Sequence, residues 1–401
     1  MFRMLVADAV TAIRSAPDHA IVNLQNNDFN ADDALLLSKA MVDSDKRLRI
    51  NLSHNKIGND GAAHLIRILP LLAADFQLNL SSNKINAIDF TPIQTQKLNP
   101  IHLNLSSNQI SEEGMLNIIS FIPCLPPYSK LNLSVNFISY DAIILLSEII
   151  KDAPHHFELN LSNTHIADQG IHVLIEAMSI HTPAAFKLIL QNNRLDDQSL
   201  KHFASILKSL PAGVNLDLSN NFITSKGVFD FSPLLKDAPE GFSLNLANNE
   251  IDNLGAEEIL KNLNGTLPKG LALNLEWNEI AESYLNKIHQ AIVTNEIKFA
   301  LFTCMQLHKG FKGDSILNQM PSEILQLIFD RVLTIPTANA KYKIAINDII
   351  KSHLSIFKQP SVTSTTTNTN SNIDSNTNID RQTHEATTRD TGIFSTVMQS
   401  G

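Results

Sequence analysis

Short runs in which apolar and polar residues alternate recur along the chain; in one of them Phe76, Leu78 and Leu80 are interleaved with Gln77, Asn79 and Ser81. A period of two places the apolar set on one face of a strand. After each run the period lengthens to that of a helix. Ile171, Leu174, Ile175 and Met178 follow i, i+3, i+4, i+7 spacing, as do Leu200, Phe203, Ala204 and Leu207, and Ala256, Ile259, Leu260 and Leu263. This predicts helices with one apolar stripe. Pro70, Pro154, Pro183, Pro211 and Pro239 come just after such stretches and stop them.

The alternation has a register. The pattern L-x-L-x-x-N-x-I occurs ten times, starting at Val22, Ile50, Leu78, Leu103, Leu131, Leu159, Leu188, Leu216, Leu244 and Leu273, in steps of 25 to 29 residues. A unit of strand and helix cannot bury its own apolar side and must stack on its neighbours. Paired strands sit about 4.8 Å apart and packed helices about 8–10 Å apart, so the stack must curve with its strands inside. Here the sequence resembles the leucine-rich-repeat family over roughly residues 21–299, and the repeat length resembles its ribonuclease-inhibitor-like subclass. The expected fold class is α/β: a curved leucine-rich-repeat solenoid of about ten β-α repeats, with a parallel sheet on the concave face and a small helical C-terminal region.

The asparagine of the pattern reads Asn27, Asn55, Asn83, Asn108, Asn136, Thr164, Asn193, Asn221, Asn249 and Asn278. It stands where the chain turns inward, and its amide can pair backbone groups that would otherwise be buried alone. The column is expected to be a structural ladder. Thr164, with one hydroxyl, is expected to form a weaker rung. The 25-residue step from Asn83 to Asn108, which contains Pro92 and Pro100, implies a shortened or irregular outer segment and a small change in curvature.

A second column, between the two leucines, reads Asn23, Asn51, Asn79, Asn104, Asn132, Asn160, Ile189, Asp217, Asn245 and Asn274. Alternation points it out of the core. Two readings are open for any one of these residues, a solvated sheet face or a polar recognition surface; for the face as a whole, binding is the expectation. The candidate partner-binding residues are Lys130, Glu158, Lys187, Ile189, Asp217, Asn132, Asn160, Val135 and Trp277. Of these, Ile189 is expected to be an exposed apolar group, and Trp277 either a binding anchor or a packing residue against the C-terminal segment. His54 and His102 read as isolated surface histidines.

At the ends, residues 1–20 are expected to form an N-terminal helical cap, with Leu5, Ala9, Val10 and Ile13 on one stripe. Residues 21–299 form the solenoid, 300–358 a helical C-terminal region and 359–401 a disordered tail rich in Ser, Thr and Asn. The segment NQMPSEILQLIFDRVL, residues 318–333, reads as a helical cap. It also resembles the first helix of an F-box through Met320, Pro321, Glu323, Ile324, Leu325, Ile328 and Phe329, which implies docking onto the Skp1 adaptor of a ubiquitin ligase. The LNLSSN repeats, the MPSEIL segment and the polar tail together resemble Legionella-type leucine-rich-repeat effectors. That resemblance implies a C-terminal secretion signal, residence in the bacterial cytoplasm, and then non-Sec secretion to the host cytosol.

Composition narrows the function. The 401-residue chain is 43% hydrophobic and 18% charged, which suits a large core. Its net charge of -9 would repel a phosphate backbone, and no basic run offsets that, so no nucleic-acid partner is expected. No uncharged stretch reaches membrane-spanning length. The N-terminus, interrupted by Asp8 and Arg14, is unlike a Sec signal peptide. Cys124 and Cys304 are far apart and fit a reducing compartment. Neither metal-ligand spacing nor a G-x-S-x-G, P-loop or H-E-x-x-H motif is present, and neither cysteine begins a Cys-x-Asp motif, so no cofactor, metal or catalytic residue is expected. The expected function is non-enzymatic recognition: a secreted effector, acting as a monomer, that binds a host protein through its concave face. An F-box-like adaptor recruiting a host Skp1-cullin ubiquitin ligase and a ribonuclease-inhibitor-like protein inhibitor are the alternatives.

Overall fold

Each alternating run closes into a strand of three or four residues: β1 (Ile21–Asn23), β2 (Arg49–Asn51), β3 (Phe76–Asn79), β4 (Ile101–Asn104), β5 (Lys130–Asn132), β6 (Glu158–Asn160), β7 (Lys187–Ile189), β8 (Asn215–Asp217), β9 (Ser243–Asn245) and β10 (Ala272–Asn274). The computed structural model describes residues 3–166, 168–264 and 267–310. The chain divides into two units, Met1–Asn339 and Ala340–Gly401, and the described residues all belong to the first. The ten strands form one parallel sheet in chain order. Register sets leucine beside leucine, Leu78 opposite Leu103 and Leu131 opposite Leu159.

Helices alternate with the strands: α1 (Val6–Ser15), α2 (Ala31–Ser44), α3 (Gly58–Arg67), α4 (Glu112–Phe121), α5 (Tyr140–Ile149), α6 (Asp168–Ile180), α7 (Asp197–Ile206), α8 (Ser225–Phe231), α9 (Asn253–Leu263) and α10 (Glu282–Gly310). Their starts are chemically marked. Ser111, Ser139, Asp196, Thr224 and Asp252 each accept a backbone N–H of the first turn, pairing donors that helix ends leave orphaned. In the 25-residue repeat the outer segment is a single tight turn, Thr91–Ile93, with Pro92 inside it. The predicted stripe residues Ile171, Leu174, Ile175 and Met178 are all buried. In α1, Ala9 and Ile13 are buried, but Leu5 is 71% exposed. It precedes the first helical turn in extended backbone, so it falls off the stripe.

The ladder asparagines from Asn55 to Asn249 and Thr164 among them are buried, whereas Asn27 and Asn278 at the two ends are half-buried. Asn55 shows the bonding. Its Nδ2 donates to Leu24 O at 3.0 Å and to Leu52 O at 2.8 Å, and its Oδ1 accepts from Asn27 N at 2.8 Å and Phe29 N at 3.1 Å. One amide thereby ties two consecutive repeats. Thr164 Oγ1 donates to Leu161 O of its own repeat at 2.6 Å and does not reach Leu133 of the repeat before. The Oδ1 of Asn136 is buried without a donor.

Pro321, Ile324, Leu325, Ile328 and Phe329 lie outside the described residues, as does the tail.

Candidate recognition face

Strand alternation sends Leu, Ile and Phe toward the helices and leaves the intervening side chains on the other face of the sheet. Across β1 to β6 that face is hollowed by a cavity of about 460 Å³, whose lining includes Arg49, Asn79, His102, Lys130, Asn132 and Asn160. The second asparagine column lies here, and its amides also have a structural task. In repeat after repeat the Oδ1 accepts the N–H two residues on: Ser53 N to Asn51, Ser81 N to Asn79, Ser106 N to Asn104, Ser134 N to Asn132, Ser162 N to Asn160 and Ala247 N to Asn245, all at 2.9–3.1 Å. These are Asx turns that bend the chain out of each strand. The N-L-S tripeptide was the available signal.

The charged candidates come together as one cluster. Lys130 Nζ lies 3.2 Å from one Glu158 oxygen and Lys187 Nζ lies 3.4 Å from the other. They occupy neighbouring strands in register, so one carboxylate is shared by two lysines. Arg49 stands in the same column and, among the described residues, has no ion-pair partner. The sequence alone does not distinguish it, although its place in the same column as Lys130 is the signal. His102 lies beside Lys130 and is half-buried, so it is not an isolated surface histidine. Burial, and next the charge of Lys130, push its imidazole below its ordinary value. The folded chain thus favours neutral His102, and the stability this lends is present above the unfolded value and lost as pH falls through the folded one.

Ile189 corrects the sequence expectation: it is only 8% exposed. It sits in register between Asn160 and Asp217, and on a tightly spaced sheet face the flanking side chains cover a branched apolar group. It is therefore part of the packing, not an exposed anchor. Asp217 keeps the Asx role, accepting Ser219 N at 3.0 Å, while its second oxygen accepts Gln191 Nε2 at 2.9 Å.

Where the strands end, the residue before the ladder position is left-handed in every repeat. Asn26, His54, Ser82, Ser107, Val135, Asn163, Asn192, Asn220, Asn248 and Trp277 all have φ between 52° and 60°. Asparagine tolerates this region; a β-branched or bulky residue does not. Val135 is nevertheless there at 47% exposure and Trp277 at 81%. Phe137, two residues beyond Val135, is 66% exposed, and Phe222 holds the same place three repeats later. Sequence alone did not single out either phenylalanine.

Among the described residues no three His, Cys, Asp or Glu side chains converge at metal-binding range, and no helix is long and apolar enough to cross a membrane. Burial pushes the Cys124 thiol up, away from the reactive thiolate. The sequence model of a family described as Leucine Rich repeat matches residues 48–65, 101–118 and 243–260. These three segments each span a strand, its turn and the start of the following helix. No curated protein matches the chain.

Proposed function

We propose, on the premise that this chain is built from leucine-rich repeats, that it is a non-enzymatic recognition protein whose bare sheet face binds another protein. The observation that carries this is the sheet itself. Parallel sheets are ordinarily covered on both faces, whereas this one buries its leucines on one side and, among the described residues, leaves a hollowed polar side free. Val135 and Trp277, exposed in a backbone conformation that disfavours them, add apolar anchors on its rim of the kind interface hot spots use.

The test is affinity capture from host-cell lysate by the full chain, set against a variant carrying Lys130→Ala, Lys187→Ala, Val135→Asn and Trp277→Asn. Proteins retained by the wild type should be lost from the variant while its circular dichroism is unchanged; equal recovery would overturn the reading. A host protein as partner, and passage from the bacterial cytoplasm into the host cytosol by a non-Sec route, rest on the resemblance of repeats, MPSEIL segment and tail to bacterial effectors. A translocation reporter that reaches host cells equally well without residues 359–401 would remove the tail from that account.

The sequence MPSEILQLIF favours a second reading, an F-box-like adaptor. Co-purification with Skp1, abolished by Leu325→Asp with Ile328→Asp, is its expected result; no Skp1 in the wild-type eluate rejects it.

A further inference from the structure

We propose that the hollow of the sheet face takes an acidic, extended segment of a partner protein, laid across β4, β5 and β6. This rests on the reading of that face as the binding face and adds the chemistry of what it holds.

The amides supply the first argument. Asn104, Asn132 and Asn160 stand in register on adjacent strands, about 4.8 Å apart by strand spacing. Each has its Oδ1 taken by the backbone N–H of Ser106, Ser134 or Ser162 at 2.9 Å, which fixes the amide's orientation. Among the described residues their Nδ2 groups have no partner. Further back the same group is spent sideways: Asn51 Nδ2 donates to Asn23 Oδ1 at 3.1 Å and Asn79 Nδ2 to Asn51 Oδ1 at 3.0 Å. The hollow is therefore offered a row of donors with their acceptors already used, and such a row selects a ligand rich in acceptor oxygens.

Charge supplies the second. The lining carries Arg49 and Lys130 against one carboxylate, Glu158, within a chain of net charge -9. A polyanion such as a nucleic acid would be repelled by the whole while meeting few cations in the hollow. A peptide carrying a few carboxylates, with backbone carbonyls between them, matches both the amide row and the small cationic excess. Beyond β6 the column changes character: Ile189 is buried, and Asp217 presents carboxylate oxygen. The donor row is broken at β7 and β8 and resumes only at Asn245 and Asn274, which do not line the hollow, so the segment is placed on the first part of the sheet.

Asp217 also provides the test. It shows that aspartate keeps the turn-forming oxygen, so Asn104→Asp with Asn132→Asp retains the Asx bonds and replaces each outward donor by a carboxylate oxygen. The full chain is titrated into a labelled glutamate-serine repeat peptide, with a lysine-serine repeat peptide of equal length as control, and anisotropy is read. The wild type should bind the acidic peptide in preference, more tightly at low salt, and the double variant should bind it about tenfold or more weakly. Arg49→Ala, which touches no turn hydrogen bond, should weaken it about threefold or more and covers the case in which the double variant fails to fold. Lack of preference for the acidic peptide, undiminished affinity in both variants, or tighter binding of a single-stranded oligonucleotide would each overturn the proposal. If captured host proteins are still lost from the sheet-face variant while the acidic peptide does not bind, the segment's chemistry is wrong and the binding face stands. If neither depends on this face, both fail.

Discussion

A buried asparagine destabilises a fold unless its polar atoms find partners, and the ladder residues find them in two repeats at once. Asn193 Nδ2 donates back to Leu161 O at 2.8 Å while its Oδ1 accepts Thr164 N at 3.0 Å. Thr164 cannot reach the preceding repeat, so Thr164→Asn should add a bond to Leu133 O and raise stability by about 1 kcal/mol, read as a higher urea midpoint at unchanged m-value. The left-handed position beside the ladder makes the opposite case. Val135→Asn should relieve about 1 kcal/mol of backbone strain and so stabilise the chain, while weakening partner capture. A variant that is stabilised yet captures its partners as well as the wild type would show that Val135 is no anchor.

At the scale of one repeat, the strand is held by its leucines, the turn by the Asx and ladder amides, and the helix by its capping residue. The exception is instructive. Where the 25-residue repeat has only the turn Thr91–Ile93, the backbone at Asn86–Ala87 lies against the first turn of α4. Ser111 Oγ donates to Asn86 O at 3.0 Å, and a Cβ added at Gly114 would lie 3.0 Å from Ala87 Cα and closer still to Asn86 O. Gly114→Ala should therefore cost about 1–3 kcal/mol despite alanine's better helix propensity, measurable by thermal or urea unfolding. A surface-exposed helix glycine would change in the other direction. The shortened spacing and the two prolines made a shortened or irregular outer segment legible in the sequence, though not the loss of its α-helix. The close approach at Gly114 was not, because it depends on where the neighbouring repeat's backbone passes.

Over the whole sheet, stability is shared between neighbours, since each repeat touches chiefly the ones before and after it. The strand pairing runs unbroken from β1 to β10, and among the described residues β10 has a strand partner on one side only, with Ala272 exposed on it. Hydrogen exchange should accordingly be slowest for amides in β4 to β8 and faster in β10. Uniform protection along all strands would indicate one cooperative block instead of a graded stack.

The repeat, its register and the α/β class were determined by local sequence, because period two, period 3.6 and the interval between copies are properties of consecutive residues. So was the identity of the ladder, since a polar residue recurring among buried leucines has few other physical explanations. The tertiary structure alone decided which of the free-face residues are available. Ile189 looks like an exposed anchor in sequence and is covered; Lys130, Glu158 and Lys187 look like three separate charges and are one shared cluster; Asn51 and Asn79 look like open amides and are bonded sideways to the strand before. The reason is geometric: these residues are 25 or more positions apart along the chain, and only the closing of one strand onto the next brings them within bonding distance.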